Sequence, residues 1–176
     1  MHKKTSIQIN FDFPDIKEIL KMKILQVSEL EEKEKNYILN FLQSLPNGNN
    51  LCHFDFHPRN ILKTKNDFYI IDWALAAKGD LNSDIARTII ILKYADLQIN
   101  NPIVRIFTRI RRYYFLYHYL RTLVIRNQKK EIQSWFIIIL AARLSERISK
   151  KERKKIIRIV KKISTVPRFI NSNSPS

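Results

Sequence analysis

Glycine is nearly missing from this chain: 176 residues contain two, Gly48 and Gly79. A glycine-rich phosphate loop needs several glycines close together so that backbone N–H groups can approach the anion, and these residues build none. Cysteine is scarcer, with Cys52 alone. That excludes an intrachain disulfide and a cysteine-rich zinc site, and it points to a reducing, cytoplasmic compartment. Acidic residues number 16 against 32 Lys and Arg, so the net charge is +16. Such a surplus suits a basic globular protein and equally an anionic partner, and charge alone does not choose between them. The longest apolar run, residues 135–142, is eight residues long, far too short to span a bilayer. No apolar stretch near Met1 reads as a signal peptide.

What is present fits one domain. Hydrophobic residues make up 45% and charged residues 27%, an ordinary globular balance at a length that leaves little room for a second domain. Ile16, Ile19, Leu20, Ile24 and Leu25 behind Pro14 predict a helix over 15–26. Tyr37, Ile38, Phe41, Leu42 and Leu45 predict a second, ended by the turn chemistry of Pro46-Asn47-Gly48. Residues 61–63 and 68–71 read as short strands joined by a turn at Lys65-Asn66-Asp67. From there the chain returns to helix. Ser83 is the expected N-cap of a helix reaching Leu97, and Asn101-Pro102 opens another. The mixed aromatic and basic residues at 111–119 are expected to put an aromatic face into the core, with single-stranded nucleic acid binding as the sharper alternative. Further helices are expected over about 131–148 and 151–163, the last a basic amphipathic helix packed on its own domain. The fold class is therefore α+β, mainly α, with a small central hairpin.

Chemistry concentrates in residues 52–62, Cys-His-Phe-Asp-Phe-His-Pro-Arg-Asn-Ile-Leu. Asp55 precedes Asn60 by five residues and follows His53 by two, the His-x-Asp-x-x-x-x-Asn spacing of a kinase catalytic loop. There the acid accepts the proton of an attacking hydroxyl, and the Asn oxygen is a hard, neutral ligand for magnesium. If the hairpin turn centres on Asn66, residues whose numbers sum to 132 face each other, and Asn60 then faces Asp72. Phosphate oxygens and water would complete such a magnesium shell. A competing reading takes His53, Asp55 and His57 as a His-x-Asp-x-His zinc or iron site, but it leaves Asn60 and Asp72 idle.

Residues 53–62, then Ile70-Ile71-Asp72-Trp73, then Asp84-Ile85-Ala86-Arg87 resemble the aminoglycoside phosphotransferase and choline kinase-like family. The resemblance implies a kinase-like C-terminal lobe over residues 1–163, and the polar, Ser-rich end of the chain makes 164–176 the expected flexible tail. It implies Asp55 as catalytic base, Asn60 and Asp72 as the residues that hold magnesium and its ATP, and Asp84 as a brace of the loop. His53, His57 and Arg87 are the expected structural supports. Phe54 stands where that family usually has Gly, and Arg59 where Gly is common.

The resemblance also implies transfer of the ATP γ-phosphoryl group to a hydroxyl of a small molecule, with Mg2+ and ATP as cofactors. The strand-rich lobe that clamps ATP in that family has no counterpart before Asp55, where the residues read as helix. A separate N-terminal lobe is thus the expected partner, and the chain alone is expected to turn over little, because phosphoryl transfer rests on positioning. The alternatives are a noncatalytic kinase-like binding module and a basic helical nucleic-acid-binding protein.

Overall fold

The computed structural model describes residues 12–96, 98–122 and 128–164. Among the described residues, six α-helices and two small antiparallel ribbons make a mainly helical α+β fold. Of the expected tail at 164–176, Ser164 belongs to the last helix and the rest lies outside the described residues.

Helix α1 (Ile16–Leu25) starts where the Asp15 carboxylate accepts the Lys17 N–H at 2.7 Å, and it buries Ile16, Leu20 and Ile24 at helical spacing. Helix α2 (Glu32–Ser44) starts with the Glu31 N–H donating to the Glu34 carboxylate at 2.8 Å and buries Ile38 and Leu42. Lys17 ties the two together, its ammonium donating to the carbonyls of Leu45 and Gln43 beyond and within the end of α2. Between them, Val27 and Leu30 close the connection as buried residues.

Helix α3 (Leu81–Tyr94) departs from the sequence reading at its start. Asp80, not Ser83, is the N-cap, accepting the Asn82 N–H at 2.9 Å. Ser83 is buried inside the first turn, its hydroxyl donating to the Asp80 carbonyl at 2.6 Å. The expected end at Leu97 lies outside the described residues; the helix itself ends at Tyr94. Helix α5 (Lys129–Arg143) carries the buried run from Ile137 to Ala142 and packs on α1, α2, α3 and α6, which is why it is apolar on nearly every side. It ends earlier than expected, at Arg143, where tight turns over 144–146 lead to α6 (Lys150–Ser164). Helix α6 buries Ile156 and Val160 on its own domain and turns its lysines outward.

Helix α4 (Pro102–Thr122) begins as read: the Asn101 side chain accepts the N–H groups of Ile103 and Val104. Its packing is not as read. The aromatic core face expected along it is mostly outside: Phe107, Ile110, Tyr114 and Tyr117 are 58–67% exposed. Only a narrower face, with Phe115, Leu116, Tyr119 and Leu120, meets the rest of the molecule. The alternation of rings and arginines fits either outcome; what decides is that α4 packs mainly on α3.

The ribbons are nested. The outer one pairs β1 (Asn50–Cys52) with β4 (Ala77–Gly79), Asn50 opposite Gly79 and Cys52 opposite Ala77. The inner hairpin pairs β2 (Ile61–Lys63) with β3 (Phe68–Ile70). The sequence reading missed the outer ribbon, whose strands are three residues each and 24 residues apart, too short to show a period. Both glycines serve it. A Cβ on Gly48 would lie 2.2 Å from the Gly79 carbonyl oxygen, and one on Gly79 would lie 2.7 Å from the Ile16 side chain. Gly48→Ala is therefore expected to cost about 1–3 kcal/mol, because backbone has to part, and Gly79→Ala less, because a side chain can shift. Urea midpoints of the two variants check the order.

Candidate functional site

The nested ribbons decide what lies beside what. Residues 53–60 lead from the outer ribbon out to the hairpin, and residues 71–76 lead back, so the two segments run alongside one another. The inner register differs by one from the reading that faced Asn60 with Asp72. The turn spans four residues: the Thr64 N–H donates to the Asp67 carbonyl at 2.9 Å and the Asp67 N–H to the Thr64 hydroxyl at 3.1 Å. A turn of even length has its centre between Lys65 and Asn66, so Ile61 faces Ile70. Asn60 then meets Ile71, whose N–H donates to the Asn60 carbonyl at 3.0 Å. Asp72 is one residue further along, in the left-handed region with φ 63°, a conformation that Asp tolerates better than most residues.

A short 3₁₀ turn, Pro58–Asn60, delivers Asn60 into the loop. His57 caps it, its Nδ1 accepting the Arg59 N–H at 3.3 Å while its Nε2 lies 3.5 Å from the Asp55 carboxylate. The buried Asn60 amide donates to the Asp55 carbonyl at 2.9 Å and to its carboxylate at 3.3 Å. With both contacts made through the amide nitrogen, the Asn60 Oδ1 accepts no hydrogen bond from any described residue. The exposed Asp72 carboxylate likewise has no hydrogen bond or ion pair among the described residues. Arg59 points to solvent.

His53 joins the two segments. Its Nδ1 accepts the Asp55 N–H at 3.2 Å, its Nε2 meets the Ile71 carbonyl at 3.0 Å, and its ring lies 4.6 Å from that of Trp73. An imidazole with both nitrogens so engaged has no lone pair for a metal. The His-x-Asp-x-His zinc or iron reading fails on that point, and the described residues hold no cluster of three or more His, Cys, Asp or Glu able to bind a metal. The oxygens of Asn60 and Asp72 suit a hard cation such as magnesium, which keeps phosphate and water in most of its shell and needs no such cluster.

The loop is anchored from beneath by α3. Asp84 accepts the N–H groups of His53 and Phe54, at 3.1 and 2.8 Å. Burial raises the Asp84 carboxyl above its usual range, although those two N–H groups pull the other way. Phe54 has φ 61°, a left-handed backbone that costs a residue with a Cβ about 1–2 kcal/mol. That is the physical reason a Gly is expected there. In this chain the Phe54 ring is buried instead, 2% exposed, with the Arg87 guanidinium 5.4 Å from its centroid. Arg87 also donates from Nε to the Phe54 carbonyl at 3.2 Å and pairs in bidentate fashion with Glu146. Cys52, just before the loop, is buried, and burial together with the Asp84 charge pushes its thiol up to about 12, so it is not a nucleophile near neutral pH.

Sequence reasoning missed Glu146. It accepts from Lys23 at 3.0 Å, from Arg87 at 2.9 and 3.1 Å and from Arg143 at 2.9 Å, linking α1, α3 and α5 under the loop. Arg143 pairs in turn with the buried Glu152 of α6 at 2.6 Å. No local motif marks these residues; a charge buried 59 positions from Arg87 has no sequence signature.

Fold and loop together define a mainly helical α+β protein that presents an acid and an amide at the root of a hairpin, with a second acid on the returning segment. The chain belongs to the phosphotransferase enzyme family: the model of that family matches residues 15–121, more than half of the chain and all of the nested ribbons. No curated protein and no solved structure matches it.

Proposed function

We propose that the chain provides the catalytic-loop half of an ATP-dependent phosphotransferase acting on a hydroxyl of a small molecule, in a kinase-like C-terminal lobe. The observation that carries this reading is the Asn60 amide held against Asp55, with Asn60 paired across the ribbon to the neighbour of Asp72. In it Asp55 orients the acceptor hydroxyl and takes its proton, and the Asn60 and Asp72 oxygens hold magnesium. Magnesium, when bound, would neutralise charge on the ATP phosphates. His53 and His57 set the loop's shape, and Asp84 and Arg87 hold it on the helical base. A reducing cytoplasm suits such chemistry and the lone buried cysteine.

A nucleotide-clamping partner lobe belongs to the same proposal. What supports it is the inner hairpin, where Leu62, Phe68, Tyr69 and Ile70 are all 45–69% exposed and Trp73 beside them is 44% exposed. Successive strand residues face opposite ways, so Leu62 and Tyr69 expose one face of the hairpin and Phe68 and Ile70 the other, and apolar surface of this kind marks an interaction site. It also favours the runner-up, a noncatalytic binding module built on the same lobe.

Thermal melts separate the two. Mg2+ and ATP together are expected to stabilise the chain, by about 2.7 kcal/mol at a hundredfold excess over the dissociation constant, with neither doing so alone. Asp72→Asn and Asn60→Ala are expected to abolish that response. Parent-like responses from both variants would remove the magnesium assignment. Turnover of ATP by the chain without a partner is expected to be near background, and magnesium-dependent turnover lost in Asp55→Asn would show that no partner lobe is needed.

A further inference from the structure

The exposed face of α4 continues into a cleft that the catalytic loop does not use. The cleft, about 280 Å³, lies between the end of α3, the first half of α4 and the start of α6. Lys93, Arg105, Arg109, Lys151 and Lys155 line it from three helices. Arg112 also lines it, but its guanidinium is engaged with the carbonyls of Ala95 and Ile91 at the end of α3. Arg105, Arg109 and Lys151 make no side-chain hydrogen bond or ion pair with any described residue. One carboxylate lines the cleft, Asp96, and it accepts from the Ser149 hydroxyl at 2.9 Å. Five cationic side chains converging on a single carboxylate raise one another's energy unless a further anion joins them.

The adjoining surface is apolar. Ile103, Ile106, Phe107, Ile110, Tyr114 and Tyr117 recur at three- and four-residue spacing along α4, each 58–67% exposed. Tyr113 belongs to both surfaces, lining the cleft while 64% exposed. Helix α4 contains five arginines and no Asp or Glu. An exposed apolar stripe flanked by arginines, with aliphatic residues in its first turns and tyrosines after them, has the make-up of a helix that lies in a lipid interface. No helix among the described residues is long and apolar enough to cross a membrane.

We infer that the α3–α4–α6 corner docks on an anionic phospholipid surface, with headgroup phosphates in the cationic cleft and the α4 stripe in the headgroup–acyl boundary. Charge complementarity selects this occupant. A second copy would bring two arginine-flanked stripes together on chains of net charge +16. A single-stranded nucleic acid would use the tyrosines but gain little from Ile103, Ile106 and Ile110, which offer no ring to stack on. The inference does not depend on the catalytic reading, since no residue of the loop takes part.

Vesicle flotation of the full chain tests it. The chain is expected to float with vesicles in which about a third of the phosphatidylcholine is replaced by phosphatidylserine, and not with phosphatidylcholine alone. The pair Arg105→Glu and Arg109→Glu is expected to weaken binding at least about tenfold. The pair Phe107→Ser and Ile110→Ser is expected to weaken it by a similar factor at unchanged salt. All four residues are exposed, so both variants are expected to melt with the parent and keep its response to Mg2+ and ATP. Absence of flotation with the anionic vesicles overturns the inference. So does flotation that the Phe107 and Ile110 variant leaves intact, which would reduce the site to charge alone. Displacement of the vesicles by a single-stranded oligonucleotide whose own binding needs Tyr113 and Tyr114 would reassign the surface to nucleic acid.

Discussion

Glu146→Ala is expected to lower folding stability by about 3–5 kcal/mol, the largest effect of any single substitution away from the apolar core. Glu146 is the counter-charge to Lys23, Arg87 and Arg143, and the Arg87 and Arg143 side chains are 4% and 10% exposed. Removing it leaves Lys23 and the nearly buried Arg87 without their counter-charge, and Arg143 with Glu152 alone. The acid limb of the stability curve gives an independent check. Burial pushes the Glu146 carboxyl up, but Arg87, Lys23 and Arg143 together outweigh that and hold it below its ordinary 4.5. A carboxyl with a depressed folded-state value stabilises fully above the unfolded value and loses that contribution as pH falls through the folded one. The gap in urea midpoint between parent and Glu146→Ala is therefore expected to be constant above about pH 5.5 and to shrink below pH 4.5. A gap that stays level down to the lowest pH would mean that the carboxylate is not what holds the three cations.

Asp84→Ala is expected to cost about 2–4 kcal/mol and to loosen residues 53–60 more than the rest of the molecule. Two partly buried N–H groups, those of His53 and Phe54, lose their acceptor. Phe54 then has less to hold it at φ 61°, and relaxation toward the extended region would carry the Asp55 backbone with it. Asp84→Asn retains one acceptor oxygen and is expected to lose about half as much. Amide exchange across the loop, set against exchange in α5, reads the difference. Equal acceleration in both places would make Asp84 a general stability residue and not an anchor of the loop. The stabilisation by Mg2+ and ATP is expected to vanish in Asp84→Ala as it does in Asp72→Asn, though for a different reason: displaced ligands instead of a missing one.

Much of the framework was legible from local pattern. The helices at 16–25, 32–44 and 150–164 follow apolar residues at three- and four-residue spacing, and the inner hairpin follows a polar turn between two apolar runs. Asp55 and Asn60 were legible as a spacing, Asp72 through the hairpin and Asp84 through the family resemblance, and the family match spans all four positions. The register was not legible, because an even and an odd turn length differ by one residue and both suit Lys65-Asn66-Asp67. The cap of α3 was misplaced for a similar reason: Asp80 and Ser83 are equally good capping residues, and burial of Ser83 against the core decided between them. On α4 the periodicity was correctly seen, but which way its apolar stripe turns depends on what packs there, and that is not a local property.

What the sequence by itself determined is where the chain coils and turns and which side chains are candidates for the chemistry, since helical spacing, capping chemistry and loop motifs act within a few residues. Tertiary structure alone decided the outer ribbon that closes the loop, the Glu146 counter-charge beneath it and the exposure of the α4 stripe. Each of these joins residues tens of positions apart, where the energy comes from burial and charge pairing that exist only once the chain has folded.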